Sequence, residues 1–216
     1  MSDITEQKKR IRNCGVVPVL TIESVADAVP LAEALMKGGL DVIEVTLRTA
    51  ASLDAIKEIA SSGLDVFVGA GTITCGSDVG AALKAGSEFL VTPATPDFLV
   101  QDLAEFPGLV VPGVATPTEA LKLYDQGFDT LKFFPAEPYG GAATLKGLSA
   151  PLPNINFMPT GGVKPETMAN YLKLPNVVAV GGSWLATDKD IKAGNWDQIT
   201  ALAQTASDAV KAIRSA

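Results

Sequence analysis

The sequence contains no histidine. That removes the commonest general base at neutral pH, every Ser-His and Cys-His dyad, and most zinc and non-haem iron ligand sets. Chemistry must then rest on carboxylates, lysines, hydroxyls and backbone groups. Cysteine is nearly as scarce. Cys14 and Cys75 make no disulfide framework, so a reduced, cytoplasmic setting is expected. Positive charge is in deficit, with 17 Lys and Arg against 24 Asp and Glu and a net charge of −7. An acidic surface repels nucleic acid and anionic membranes, so neither is an expected partner. An anionic substrate would need a local cationic pocket. No apolar run approaches the roughly 18–20 residues that span a bilayer. The polar, charged stretch Met1–Arg12 is not expected to be a signal peptide.

What is present is an ordinary globular balance, 47% hydrophobic and 19% charged, in 216 residues. This fits a single domain over residues 1–216. The 20 glycines and 14 prolines point to many short turns. Eight β-rich runs recur roughly every 20–25 residues: Val16–Ile22, Asp41–Leu47, Asp65–Gly71, Glu88–Ala94, Leu109–Ala115, Thr130–Ala136, Asn156–Gly162 and Val177–Leu185. Helical stripes lie between them at Ser24–Lys37, Leu53–Ser61, Thr116–Gln126, Pro165–Leu174 and Asn195–Ser215. Pro30 marks a kink or a late start in the first of these. Gly38, Gly63, Gly86 and Gly127 stand where helix C-caps are expected. Strands apolar on both faces belong to parallel sheets buried under helices. Eight such units predict an α/β fold, a (β/α)8 TIM barrel, with a doubly wound sheet as the alternative. Residues 1–14 are expected to form a short N-terminal helix closing the bottom of the barrel.

Charges inside strands need a reason, because burying them is costly unless they are paired or used. In the second run Glu44, Thr46 and Arg48 share one parity, while Ile43, Val45 and Leu47 form an apolar face. Glu44 and Arg48 are therefore expected to point into the barrel near its C-terminal mouth. In the sixth run Lys132 is set among Leu131, Phe133 and Phe134, whereas Lys37, Lys57, Lys84, Lys122, Lys146 and Lys173 fall in helical segments. A Lys132–Glu44 contact could be a structural ion pair. Two cations against one carboxylate instead call for an anionic ligand. Burial and a neighbouring cation both favour the neutral form of an amine, and a neutral amine attacks carbonyls. A carboxylate sharing that pocket can shuttle protons.

The seventh run ends in Pro159-Thr160-Gly161-Gly162 and the eighth in Val180-Gly181-Gly182-Ser183. Glycines let the backbone approach a ligand, and barrels often hold a phosphate with the loops after strands seven and eight. Pro165 suits the first turn of the helix that follows. Thr72, after Gly69-Ala70-Gly71, is either a substrate hydrogen-bonder or a turn residue. Pro93 shapes the mouth after the fourth run. Phe134, sharing parity with Lys132, either lines the pocket or packs in the core. Cys75 reads as an incidental small residue.

These stretches, together with Val17-Pro18-Val19, Lys132-Phe133-Phe134-Pro135-Ala136 and Gly181-Gly182-Ser183-Trp184, resemble the bacterial 2-keto-3-deoxy-6-phosphogluconate/4-hydroxy-2-oxoglutarate aldolases. The resemblance runs from Val16 to Trp184. Ala94 departs from it, since many members carry glycine after the proline. The resemblance implies a class I aldolase without metal or other cofactor, with Lys132 as Schiff-base lysine and Glu44 as general acid/base. It implies that Arg48 and Thr72 hold the pyruvate carboxylate and that Gly161, Gly162, Gly182 and Ser183, with Thr160 beside them, surround the phosphate. It further implies a small-molecule keto-acid substrate, a place in the Entner-Doudoroff pathway and a homotrimer. Rival readings are an aldolase for the galactonate epimer, a phosphate-binding isomerase or epimerase, and a non-catalytic sugar-phosphate sensor.

Overall fold

Strands and helices alternate along the chain in the computed structural model, which describes residues 3–215. Helix α1 (Ile4–Cys14) leads into β1 (Val16–Leu20), followed by α2 (Ala28–Lys37), β2 (Val42–Thr46), α3 (Ser52–Ser61), β3 (Phe67–Gly71), α4 (Gly76–Ala85), β4 (Phe89–Val91) and α5 (Asp97–Ala104). The chain continues through β5 (Leu109–Val111), β6 (Gly113–Val114), α6 (Pro117–Asp125), β7 (Thr130–Phe133), α7 (Gly141–Leu148), β8 (Asn156–Pro159), α8 (Met168–Leu172), β9 (Val180–Gly182), α9 (Asp188–Lys192) and α10 (Trp196–Arg214).

The strand pairings are parallel, in a six-stranded sheet ordered β5-β4-β3-β2-β1-β9 and a three-stranded sheet ordered β6-β7-β8. The run expected over Leu109–Ala115 is split because Pro112 has no N–H to donate. Before it, β5 pairs with β4; after it, β6 pairs with β7. Single bridges, Phe157 with Val177 and Thr160 with Gly181, link the far edges of the two sheets.

Local chemistry sets the helix ends. Thr116 caps α6, accepting from the Glu119 N–H at 3.3 Å, while the Glu119 carboxylate accepts from the Thr116 N–H at 2.8 Å. Pro30 marks a late start: α2 begins at Ala28 after a short 3-10 turn, so the proline falls where N–H groups lack an intrahelical acceptor anyway. Gly38 caps α2 as expected, with a φ of −78°, and Gly39 after it takes the left-handed conformation, at 87°. One expectation needs correction. Pro165 lies in the turn before α8, held by the Thr167 N–H donating to the Lys164 carbonyl at 3.0 Å.

The expected N-terminal helix forms and lies against the strands it precedes. The buried Gln7 side chain accepts from the N–H of Leu109, at the start of β5, at 2.8 Å. The chain's last helix packs tightly on α2, since a Cβ at Gly38 would lie 2.4 Å from that of Ala203. Among the described residues no helix is long and apolar enough to cross a membrane.

Candidate active site

Lys132 stands in β7 and is 4% exposed. Its Nζ donates to Glu44 Oε1 at 3.2 Å and lies 5.3 Å from the centroid of the Phe134 ring. Glu44 is fully buried in β2, in register with Val19 of β1 and Gly69 of β3. The two residues belong to different sheets, so their contact spans the interior that both sheets face. Gly71, at the end of β3, makes room: a Cβ there would lie 2.1 Å from Glu44 Oε1.

The pair is incompletely satisfied. Glu44 Oε2 is buried with no hydrogen-bond partner among the described residues. A buried ion pair that serves stability alone needs its remaining acceptors filled, because each open one carries a desolvation cost. Close by in sequence to β8, Thr160 is also buried with an unpartnered Oγ1, and a Cβ at Gly181 would strike that atom at 2.2 Å.

Arg48 departs from expectation. It is exposed, in the turn after β2, and its side chain has no ion pair or hydrogen bond among the described residues. Strand alternation stops at Thr46, whose hydroxyl donates to the Leu20 carbonyl at 2.8 Å and whose carbonyl accepts from the Ser52 hydroxyl at 2.8 Å. The chain turns there, so parity cannot be carried on to position 48. The buried pair is one cation and one carboxylate, and Arg48 stands outside it, in the turn after β2.

Thr72 follows β3 with a φ of 62°, left-handed in a β-branched residue, which stores backbone strain. It is half-buried, as are Pro93 and Phe134. Phe134 faces the amine, which favours lining over plain core packing. Pro93 belongs to a loop stitched to the sheet junction by the Thr92 hydroxyl, which accepts from the Gly113 N–H at 2.8 Å. Cys75 has a defined structural place as the N-cap residue of α4, and Asp78 accepts from its N–H at 3.2 Å.

The two glycine pairs are not equivalent. Gly161 and Gly162 have φ of 99° and 83°, a turn that only glycine adopts easily. Gly181 and Gly182 do not share this conformation. Their missing side chains leave space for protein atoms, Thr160 Oγ1 in one case and the Trp184 ring, 2.0 Å from a Cβ at Gly182, in the other. Ser183 is exposed at the end of β9.

Sequence reasoning overlooked Glu137 and Tyr171. The Tyr171 hydroxyl donates to Glu137 Oε1, and burial followed by that carboxylate pushes the phenol well above its ordinary range. The available signal was Glu137 itself, the next residue after the Lys132–Ala136 stretch. Surface grooves of about 480 Å³ between α5 and α6 and about 450 Å³ between α1 and α10 are lined by other residues, so chemistry rather than size locates the site.

A parallel α/β scaffold that shields one amine and one open carboxylate from water is an enzyme interior rather than a docking surface. The family model described as KDPG and KHG aldolase matches residues 7–202, and the chain belongs to this family. A 2-dehydro-3-deoxy-phosphogluconate aldolase of Pseudoalteromonas atlantica is 47% identical over 193 residues, covering 88% of this chain and 89% of that protein. A KDPG aldolase of Legionella pneumophila, solved with pyruvate captured as a covalent carbinolamine intermediate, superposes with a TM-score of 0.88 at 36% identity, covering 91% of this chain and 96% of that one. The 2-keto-3-deoxy-6-phosphogluconate aldolase of Zymomonas mobilis, solved with 3-phosphoglycerate, gives 0.87 at 40% identity, covering 95% and 96%.

Proposed function

We propose that this chain is a class I aldolase that cleaves 2-dehydro-3-deoxy-6-phosphogluconate to pyruvate and glyceraldehyde 3-phosphate, and also 4-hydroxy-2-oxoglutarate to pyruvate and glyoxylate. The observation that carries the reading is the buried Lys132–Glu44 contact with one carboxylate oxygen left open. Lys132, as a free amine, attacks the C2 carbonyl. The Glu44 carboxyl group gives its proton to the carbinolamine hydroxyl, which leaves as water, so that a protonated imine, the electron sink, stands beside a Glu44 carboxylate. Glu44, through a water, takes the C4 hydroxyl proton. The C3–C4 bond breaks, its electron pair enters the imine to give an enamine, and the aldehyde departs. Protonation at C3 and hydrolysis release pyruvate and restore Lys132. No metal or cofactor enters these steps.

Arg48 and Thr72 are assigned to the carboxylate, and Thr160, Gly161, Gly162, Gly182 and Ser183 to the phosphate end. Pro93 and Phe134 line the approach. The two sheets are read as arcs of one closed (β/α)8 barrel in a single domain over residues 1–216, supported by the strand run through Pro112 and by the two bridges. A cytoplasmic homotrimer serving the Entner-Doudoroff pathway completes the proposal, on the strength of the family. Incubation with pyruvate and borohydride should leave a reduced adduct on Lys132, found by peptide mass mapping. Label on another lysine, or none, would refute its role.

A further inference from the structure

Glu137 joins three elements. Its N–H donates to the Gly161 carbonyl at 3.0 Å, one residue after the Ala136 N–H donates to the Thr160 carbonyl at 2.8 Å. Its carbonyl accepts from the Gly140 N–H at 3.1 Å. Its side chain passes under Gly162, where a Cβ would meet both Cβ and Cγ of Glu137 at 2.7 Å. The carboxylate then ends on the Tyr171 hydroxyl. Tyr171 is 1% exposed and anchored in α8, and Gly141 leaves space for its hydroxyl, which a Cβ there would approach to 2.9 Å.

The left-handed turn at Gly161 and Gly162 thus rests on the Phe134–Glu137 segment. The Thr160 and Gly161 carbonyls accept from the Ala136 and Glu137 N–H groups, and Gly162 packs on the Glu137 stem. The Gly162 N–H has no protein acceptor among the described residues. A glycine pair left to itself samples many conformations, and a loop must be preorganised if its N–H groups are to meet an anion at low entropic cost. A carboxylate loose beside that turn would repel an anion. Tied to the Tyr171 hydroxyl, it is held beside Gly141, where a Cβ would lie 3.5 Å from both carboxylate oxygens.

We infer that Glu137 and Tyr171 are a positioning pair that sets the Thr160–Gly162 turn for the phosphate of the substrate, and so set preference for phosphorylated over unphosphorylated keto acids. This rests on the function proposed above and names two residues that act through the turn rather than on the reacting carbons.

The test compares kcat/KM on the phosphorylated sugar acid with that on 4-hydroxy-2-oxoglutarate, which has no phosphate. For Glu137→Ala and Tyr171→Phe the ratio of the two should fall about tenfold, a difference of roughly 1.4 kcal/mol, through a raised KM for the phosphorylated substrate. Glu137→Gln, which still accepts from the tyrosine hydroxyl, should restore most of the ratio. Borohydride trapping of pyruvate on Lys132 in each variant separates the two hypotheses. Trapping with an unchanged ratio, or with both substrates losing rate in parallel, overturns the positioning role alone. Absent trapping in the unaltered protein overturns the aldolase reading itself.

Discussion

Gly71→Ala is the sharpest probe of the buried pair. Gly71 has no left-handed backbone to strain, and a new Cβ would meet three atoms of one residue: Oε1, Cγ and Cδ of Glu44, at 2.1, 2.6 and 2.7 Å. Ordinary contacts begin near 3.5 Å, so the carboxylate must retreat by roughly 1 Å or more. Its contact with Lys132 Nζ, at 3.2 Å, would then be lost. Misplacing a proton shuttle by about 1 Å costs on the order of 100-fold in rate, while overpacking of this kind costs about 1–3 kcal/mol of stability. Pyruvate release, coupled to lactate dehydrogenase, should therefore fall about 100-fold with the fold retained by circular dichroism. Adduct formation with borohydride should persist, because Lys132 itself is untouched. The three nearest atoms all belong to Glu44, so in a Glu44→Ala background the same substitution should cost little more in rate. A Gly71→Ala protein within threefold of full turnover, or an additive loss in the double variant, would refute the reasoning.

Thr72→Gly removes a β-branched side chain from a φ of 62° and should raise stability by about 1 kcal/mol in denaturant titrations while raising KM, because the hydroxyl is lost too. Lower stability would show that Thr72 is unstrained. Burial, and then Asp41, push the Cys14 thiol up to about 12 from 9.0. Its thiolate fraction at pH 8 is then about 1000-fold below that of an ordinary thiol, so Ellman's reagent should find one slow thiol per folded chain and two after unfolding. The folded-state value is raised, so this group's contribution to stability is full below pH 9.0 and fades as pH rises toward about 12. A Cys14→Ala variant should lose less stability than the native chain between those limits.

The sequence shows the parts of this molecule that depend on local rules. Period and capping place α3, α6 and α10 to within a residue or so, because Thr116 with Glu119, and the apolar stripe from Trp196 onward, are local signals. Alternation turns Glu44 inward, since β2 is regular through Thr46. It fails two residues later because the turn is made by contacts from Leu20 and Ser52, the first of which is distant in sequence. The packing demand on Gly182 is hidden for a related reason. A glycine that seats Trp184 looks the same in sequence as one that meets a ligand, and one position can do both. Glu137 and Tyr171 stay hidden because 34 residues separate them and each has an ordinary local role, one in a turn and one in a helical stripe.

The depth of each group follows from the cost of its charge. Glu44 and Lys132 neutralise each other and tolerate an interior where two like charges would be separated by little dielectric. Seating the Arg48 guanidinium beside Lys132 in the free protein would add an uncompensated charge to that interior, at a cost of several kcal/mol. Left in water after β2, it carries no such desolvation cost and stays accessible to the substrate carboxylate proposed above. The Thr160 hydroxyl, uncharged, can wait buried without a partner for about 1–3 kcal/mol. A substrate that brings its own anions therefore completes the site from outside inward. Its binding energy is set against the open acceptor on Glu44, where bond breaking is proposed to occur, and the open hydroxyl on Thr160, at the proposed phosphate end.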